Sequence, residues 1–301
     1  STDRSYDIVR GYIPRFDGRG YSLRCVRQFN SGQSVAIDNG LKLIQGEFLV
    51  WPDSDDFYAS GFAIEKMVRR LEEATSEFAM VRTMERLVDE NDLEKELGVH
   101  GVNAQEEEPA RLFYDCLFCD NHFYFVPGAY MIRVEALIRT NGLSIYTEKN
   151  AGQNWQLLLP ILYSYRCLTI KEILYTVLVR QSSHSRGQYS GYERMLVRYD
   201  SYRKTILATL DRMLLLPDAE RAALRKRIDI QYSRKMLFVD YRFMRADRVK
   251  ERYARIASLD KSRIVCLDGL LRIFIRTPFF RVGWMNRLSG RFFQKFLARR
   301  Y

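Results

Sequence analysis

The stretch GEFLVWPDSDDFY, Gly46 to Tyr58, sets Asp53, Asp55 and Asp56 directly behind an apolar run. Carboxylates two apart lie on the same side of an extended chain and can share one hard cation, while acids at a strand end also solubilise a turn. Spacing alone leaves both readings open. EFLVW reads as an interior strand, and Pro52 ends its hydrogen bonding, so Asp53 begins just past the strand's carboxyl end. Ligands of open α/β sheets bind at that edge. A Mg²⁺ or Mn²⁺ ion held there by Asp53 and Asp55, together with ligand phosphate oxygens, would neutralise the charge that develops on a diphosphate leaving group.

The elements that must position these acids follow from periodicity. Residues 21–29, 46–51, 77–84, 122–127, 165–170 and 173–179 are short apolar or alternating runs and read as strands. Helical spacing predicts helices over Val35–Leu43, Gly61–Glu73 and Trp155–Tyr163. Their alternation implies an α/β layer structure with a largely parallel sheet. Residues 85–108 are acidic and poor in strand formers, and are expected to form a solvated excursion in which His100 has no evident partner. From Tyr192 to Leu259 the pattern is helical, with Met195, Tyr199, Tyr202, Ile206, Leu210 and Met213 on one face and a fresh start after Pro217. The expected division is an α/β domain over 1–190, a helical extension over 191–262 and a basic amphipathic tail over 263–301.

The chain has 301 residues, 47% of them hydrophobic, enough for a substantial core. Its formal charge of +11 is uneven: from Lys261 to Tyr301 there are ten Lys or Arg residues and one acid. Basic residues confined to one end and interleaved with Phe, Trp, Leu and Ile suit an anionic membrane surface, and argue against a nucleic-acid groove across the domain. No apolar run reaches the length of a membrane span, and the first residues lack a signal-peptide pattern, which implies a cytoplasmic chain, peripheral on the inner face of the membrane. Five scattered cysteines fit reduced thiols. The single CxxC, Cys116 and Cys119, reads as two apolar-facing thiols and not as half of a zinc site.

Residues 28–58 resemble the family 2 glycosyltransferases, in which a small-residue segment, a short helix, a strand and a DxD cluster follow at this spacing. Further segments are similar in the same order: STD (1–3), FVPGAYMIRVEAL (125–137), GQNWQLLLPIL (152–162) and VRQSSHSRG (179–187). The resemblance covers roughly residues 1–190. It implies a GT-A-like, Rossmann-type mixed sheet flanked by helices, with the helical part as a C-terminal extension. It also implies a metal-dependent enzyme, using Mn²⁺ or Mg²⁺, that moves a sugar from a nucleotide-diphosphate donor, a UDP-sugar, to a saccharide or lipid-linked acceptor in bacterial surface polysaccharide synthesis.

Carried over by residue, the resemblance makes Asp55 the principal metal ligand, with Asp53 on the metal or the donor ribose and His184 as a further ligand from the closing loop. Asp3, Asp38, Arg180 and Arg186 fall to the donor, and Gly128 and Trp155 to the acceptor. Two departures stand out. Where the family offers an aspartate base, this chain has Gln153 and Asn154, and an amide is not basic. Glu148 could take that role, Gln153 and Asn154 could bind acceptor hydroxyls, or Asn154 could simply cap the helix beginning at Trp155. Ile37 and Asp38 also stand where Arg and Asn are common. The family's opening strand, turn and helix do not precede Ser1, which suggests a trimmed version of a longer protein with an open sheet edge. A non-catalytic scaffold that binds a membrane or partner is the competing reading.

Overall fold

Strand β3 (Phe78–Asp89) shows why the sheet has two covered faces: Met80 enters one core and its neighbour Val81 another, as a period of two demands. Cys167 and Leu168 of β7 (Arg166–Val179), and Tyr130 and Met131 of β6 (Tyr130–Arg133), divide the same way. The computed structural model describes residues 3–108, 111–149, 151–180 and 191–259. In chain order the other strands are β1 (Phe48–Leu49), β2 (Phe57–Tyr58), β4 (Asp92–His100) and β5 (Glu107–Glu108). The seven-stranded sheet runs β1-β6-β3-β7-β2, with β4 added to β3 and β5 to β7. Among the described residues only β3 and β7 pair in parallel, so the largely parallel sheet read from the sequence is corrected to a mixed one. The expected mixed sheet flanked by helices and followed by a helical part is borne out.

The helices α1 (Ser5–Gly11) and α2 (Ile13–Asp17) precede α3 (Gln33–Leu41), and α4 (Ala63–Glu72) covers one sheet face with Met67 and Leu71. The other face meets α5 (Leu112–Phe118), α6 (Val134–Asn141) and α7 (Asn154–Ser164). Pro160 lies inside α7 and cannot donate to the Gln156 carbonyl. Asn141 Nδ2 donates to that carbonyl at 3.4 Å, which compensates part of the loss.

The helical part comprises α8 (Tyr192–Arg212), α9 (Asp218–Arg242) and α10 (Ala246–Leu259). Ile206, Leu210, Ile228 and Tyr232 belong to the same core as the sheet, so the core runs across the compositional change at residue 191. Gln231 Nε2 donates to the Phe118 carbonyl at 2.9 Å, which adds a polar tie. At the far end Asp240, fully buried, accepts hydrogen bonds from Tyr192 Oη and Arg252.

Several elements differ from the sequence expectation. EFLVW contributes only the two residues of β1, and β1 sits at the end of the sheet order, not in its interior. Residues 21–29 form no strand: no strand among the described residues pairs with them, and Tyr21, Val26 and Phe29 are exposed. Residues 122–127 also form none, because Cys119, Asn121 and His122 take left-handed φ values and turn the chain. Their apolar character serves a ring cluster of Phe123, Tyr124, Phe125 and Tyr130. Residues 85–100 are not an excursion but the hairpin of β3 and β4. The two strands read at 165–170 and 173–179 are one strand whose register jumps from Ile170 to Ile173, so that Lys171 and Glu172 bulge outward and Glu172 pairs with Lys66 of α4. Cys116 is buried but Cys119 is exposed and closes α5, so only one of the two thiols faces the core.

Gly128 is the tightest point of the core, since a Cβ there would lie 2.1 Å from the Tyr175 ring. Gly128→Ala is expected to lower unfolding stability by about 1–3 kcal/mol, as overpacking does. Chemical denaturation of the variant against the parent checks this.

Candidate active site

The acids gather where β2 runs beside the last turns of β7. Leu178 N donates to Asp56 Oδ1 at 3.0 Å, Arg180 pairs with Asp55 Oδ2, and Gln33 Nε2 at the start of α3 donates to Asp53 Oδ1 at 2.9 Å. Burial, then the neighbouring negative charge of Asp55, raises Asp53 above the ordinary carboxylate range, and the Gln33 bond opposes this only in part. Asp56 is pushed up to about 6, chiefly by burial, with Asp55, Asp53 and Glu85 adding repulsion against the bond from Leu178. Such carboxylates are costly as anions unless a positive charge arrives. Asp55 has one such charge already, the half-exposed Arg180.

A second group surrounds α7. Ser34 Oγ donates to the Glu148 carbonyl at 2.9 Å and accepts from Glu148 N at 3.0 Å, which fixes the 148 backbone against α3. Gly32 makes this crossing possible: its φ is +95°, and a Cβ would lie 2.5 Å from the Lys149 carbonyl oxygen. The Glu148 carboxylate accepts from Tyr146 Oη at 3.2 Å. Gln153 is buried, and α7 begins at Asn154, not Trp155. Asn154 makes no side-chain cap; its Nδ2 donates to the Phe125 carbonyl at 3.4 Å, and its buried Oδ1 has no partner among the described residues. That corrects the capping reading and leaves an acceptor atom that can receive a ligand's hydrogen bond. Trp155 Nε1 donates to the Cys116 carbonyl at 3.1 Å, and its ring lies edge-on to Phe125 and Tyr202.

The remaining sequence candidates lie as follows. Asp38 is committed within the fold: Ile145 N at 2.8 Å, Ser144 Oγ at 3.0 Å and Lys42 Nζ at 2.7 Å all reach it. Burial alone would raise its pKa, but those partners, Lys42 foremost, hold it lowered. Asp3 is exposed and accepts from Ser5 N at 3.0 Å. Gly128 is buried against Tyr175. His184 and Arg186 lie outside the described residues. The structure thus brings Asp53, Asp55 and Arg180 together at one edge and Glu148, Gln153 and Asn154 around the start of α7.

Sequence reading missed Gln33, whose polar side chain at a helix start gave no signal by itself, and the pair formed by Glu85 and His100. Glu85 is fully buried, and His100 Nδ1 lies 2.6 Å from its Oε1, which corrects the expectation that His100 lacks a partner. The available signal was the spacing of a hairpin, with Glu85 and His100 directly opposite on β3 and β4.

The comparisons with known proteins bear on this geometry. Residues 1–140 match Glycosyl transferase family 2. The resemblance read from the sequence is borne out over that stretch. Among solved structures, the chain is similar to the mannosyltransferase PcManGT from Pyrobaculum calidifontis, in complex with GDP-Man and Mn²⁺, at 13% identity and a TM-score of 0.45, covering 100% of this chain and 76% of that one. It is similar to S. aureus TarS at 17% identity and a TM-score of 0.47, covering 91% of this chain and 46% of that one. For TarS residues 1–349 the values are 15%, 0.46, 91% and 77%. At these identities and scores the overlays carry no argument. No curated protein matches the chain.

The raised Asp56 has a consequence for stability. Its folded-state pKa of about 6 exceeds the ordinary 3.8, so the folded chain holds the proton more tightly. The stability this contributes is full below the ordinary value and is lost as pH rises through about 6. Asp56→Asn keeps an acceptor for Leu178 N and is expected to remove that decline, as urea denaturation between pH 4 and 7 would show.

Proposed function

We propose that this chain transfers a glycosyl group from a nucleoside-diphosphate sugar, a UDP-sugar, to a saccharide or lipid-linked acceptor of a bacterial surface polysaccharide. The observation that carries the reading is the convergence of Asp53, Asp55 and Arg180 at one sheet edge, within a chain whose first 140 residues match the family.

The residues fit a divalent cation of the Mn²⁺ or Mg²⁺ type. Asp53 and Asp55 are hard oxygen donors, and the upward shift of Asp53 is of the kind a nearby cation reverses. No group of three His, Cys, Asp or Glu side chains able to hold a metal occurs among the described residues. Two carboxylates suffice where substrate phosphates and water complete the shell. Asp53 and Asp55 would hold the ion, which would supply charge neutralisation at the leaving diphosphate. The chain's own contributions are separable. Gln33 orients Asp53, and Arg180 offers its guanidinium to phosphate oxygens once it leaves Asp55.

Asp55→Ala is expected to abolish transfer from a nucleotide sugar in Mn²⁺ or Mg²⁺ while leaving the far-ultraviolet spectrum unchanged. Retained turnover would remove the metal from the reading. Location at the inner face of the membrane rests on the basic tail, which lies outside the described residues. No helix among the described residues is long and apolar enough to cross a membrane. Sedimentation with vesicles containing phosphatidylglycerol is expected for the full chain and to be lost on deleting residues 263–301, and at 0.5 M salt.

A further inference from the structure

A cleft of about 320 Å³ opens beside the end of β4, within the ~300–1,000 Å³ range of small-molecule sites. Its walls come from His100 and the loop that follows it, from Glu108 of β5, from Arg111 and Leu112 at the head of α5, and from the turn that carries Asn121 and His122. None of its lining residues belongs to the acid edge at Asp53, Asp55 and Arg180. Across the sheet from His100 the register places Glu85 of β3 and then Tyr175 of β7, both fully buried, before β2 and the acids are reached. A molecule in this cleft is therefore not the donor held at the acids.

The acids of the lining are already engaged by the chain itself. Glu108 is paired with the buried Arg82 and accepts from Gln105 N at 2.9 Å, while Arg82 Nε also donates to Thr169 Oγ1 at 3.2 Å. Asp115 Oδ1 accepts from Asn121 Nδ2 at 2.7 Å. Tyr124 is buried against the His100 ring, with centroids 5.9 Å apart, and against the Arg82 guanidinium, and its hydroxyl donates to the Thr83 carbonyl at 2.9 Å. It offers no open face on which a sugar ring could stack. The cations at the rim are in the opposite position. The side chains of Arg111 and His122 are exposed and have no ion pair or hydrogen bond among the described residues. His100 is half-exposed, and its Nδ1 lies 2.6 Å from Glu85 Oε1, which leaves Nε2 as the ring nitrogen open to a ligand.

We propose that this cleft is a second ligand site, for a small phosphate-bearing molecule held by Arg111, His100 and His122; the proposal stands apart from the glycosyl-transfer reading. A guanidinium fork takes two phosphate oxygens side by side, and each imidazole N–H takes one more bond. Glu85 is wholly inaccessible and its Oε2 has no partner among the described residues, so it favours a proton on the His100 ring and with it a second N–H turned to the ligand. No group of three side chains able to hold a metal occurs among the described residues, so the cleft does not suit a cation.

The charged groups that face His100 are Glu85 from β3, Arg82 beside Tyr124, Glu108 from β5, Arg111 and Asp115 from the α5 segment, and His122 from the turn. The bond to Glu85 outweighs burial and raises the His100 pKa, so the imidazolium persists above the ordinary histidine range. A phosphate monoester is close to fully ionised above about pH 7. From there upward the ligand's charge is constant and the imidazolium is lost, so affinity should fall as pH rises.

The experiment follows the imidazole ¹⁵N resonances of the full chain without divalent metal. The chain has three histidines, and those of His100 and His122 are assigned by their loss in His100→Gln and His122→Gln. Inorganic phosphate, glucose 6-phosphate and uridine monophosphate are the probes, with methyl glucoside as the neutral control. The expected result is a saturable shift of both resonances with inorganic phosphate and with at least one ester, weakening as pH rises above about 7. Arg111→Gln, at an exposed side chain the fold does not use, should weaken binding about 10-fold or more, the contribution of one charge-assisted hydrogen bond. Lys95→Gln removes one positive charge from β4 outside the cleft and should leave the affinity unchanged. No shift with any phosphate probe overturns the proposal, as does parental affinity in Arg111→Gln or an equal loss in Lys95→Gln, which would mark a response to net charge alone. An equal shift with methyl glucoside also overturns it, because the cleft would then read hydroxyls and not the anion.

Discussion

The parallel ladder between β3 and β7 is the constraint on which the other features rest. It runs from Phe78 opposite Arg166 to Asp89 opposite Val179, and both strands are covered on two faces over most of that length. A parallel pair cannot be joined by a tight turn. The chain between them must make a long excursion, and it uses that excursion to build β4, β5, α5, β6, α6 and α7. Every candidate functional side chain is therefore placed relative to this pair: the acids by β2 along one edge of β7, and His100 by β4 along the far edge of β3.

Close packing transmits that placement. Tyr175, at the centre of the ladder, presses on Gly128 and sits edge-on to Tyr58, with ring centroids 5.2 Å apart. The Tyr58 hydroxyl is buried without a hydrogen-bond partner among the described residues. Burial raises both phenols, Tyr58 to about 12, so neither is an anion near neutrality. The phenols nearest the acids are thus neutral, and the local field is set by the carboxylates and Arg180.

Much of this was legible in the residue pattern. Helices α3, α4, α7, α8 and α9 follow from apolar spacing, because a helix buries one stripe and the stripe is written every three or four residues. The acid cluster was legible because its members are close in sequence. Less legible were features made by two distant segments. The 85–100 hairpin reads as a solvated loop because its outer strand is polar on almost every position, an edge strand facing water. Residues 122–127 read as a strand because aromatic residues that fill a core can be as dense as those in a sheet. Burial, not strand pairing, was the reason for their type.

Sequence by itself determined which chemistry is available here: three carboxylates after an apolar run, an amide pair at the head of α7, and a basic segment past the last described helix. These depend on residue identity and short spacing, which the chain carries without folding. Only the tertiary structure decided which of those groups meet. Asp55 and Arg180 are 125 residues apart, and Ser34 and Glu148 are separated by 114. Their contacts arise because strand register and helix packing have few solutions once the apolar faces must be covered. Asp38 shows the opposite case: it resembles a donor ligand in the sequence, yet folding commits its carboxylate to Lys42 and to the backbone of Ile145.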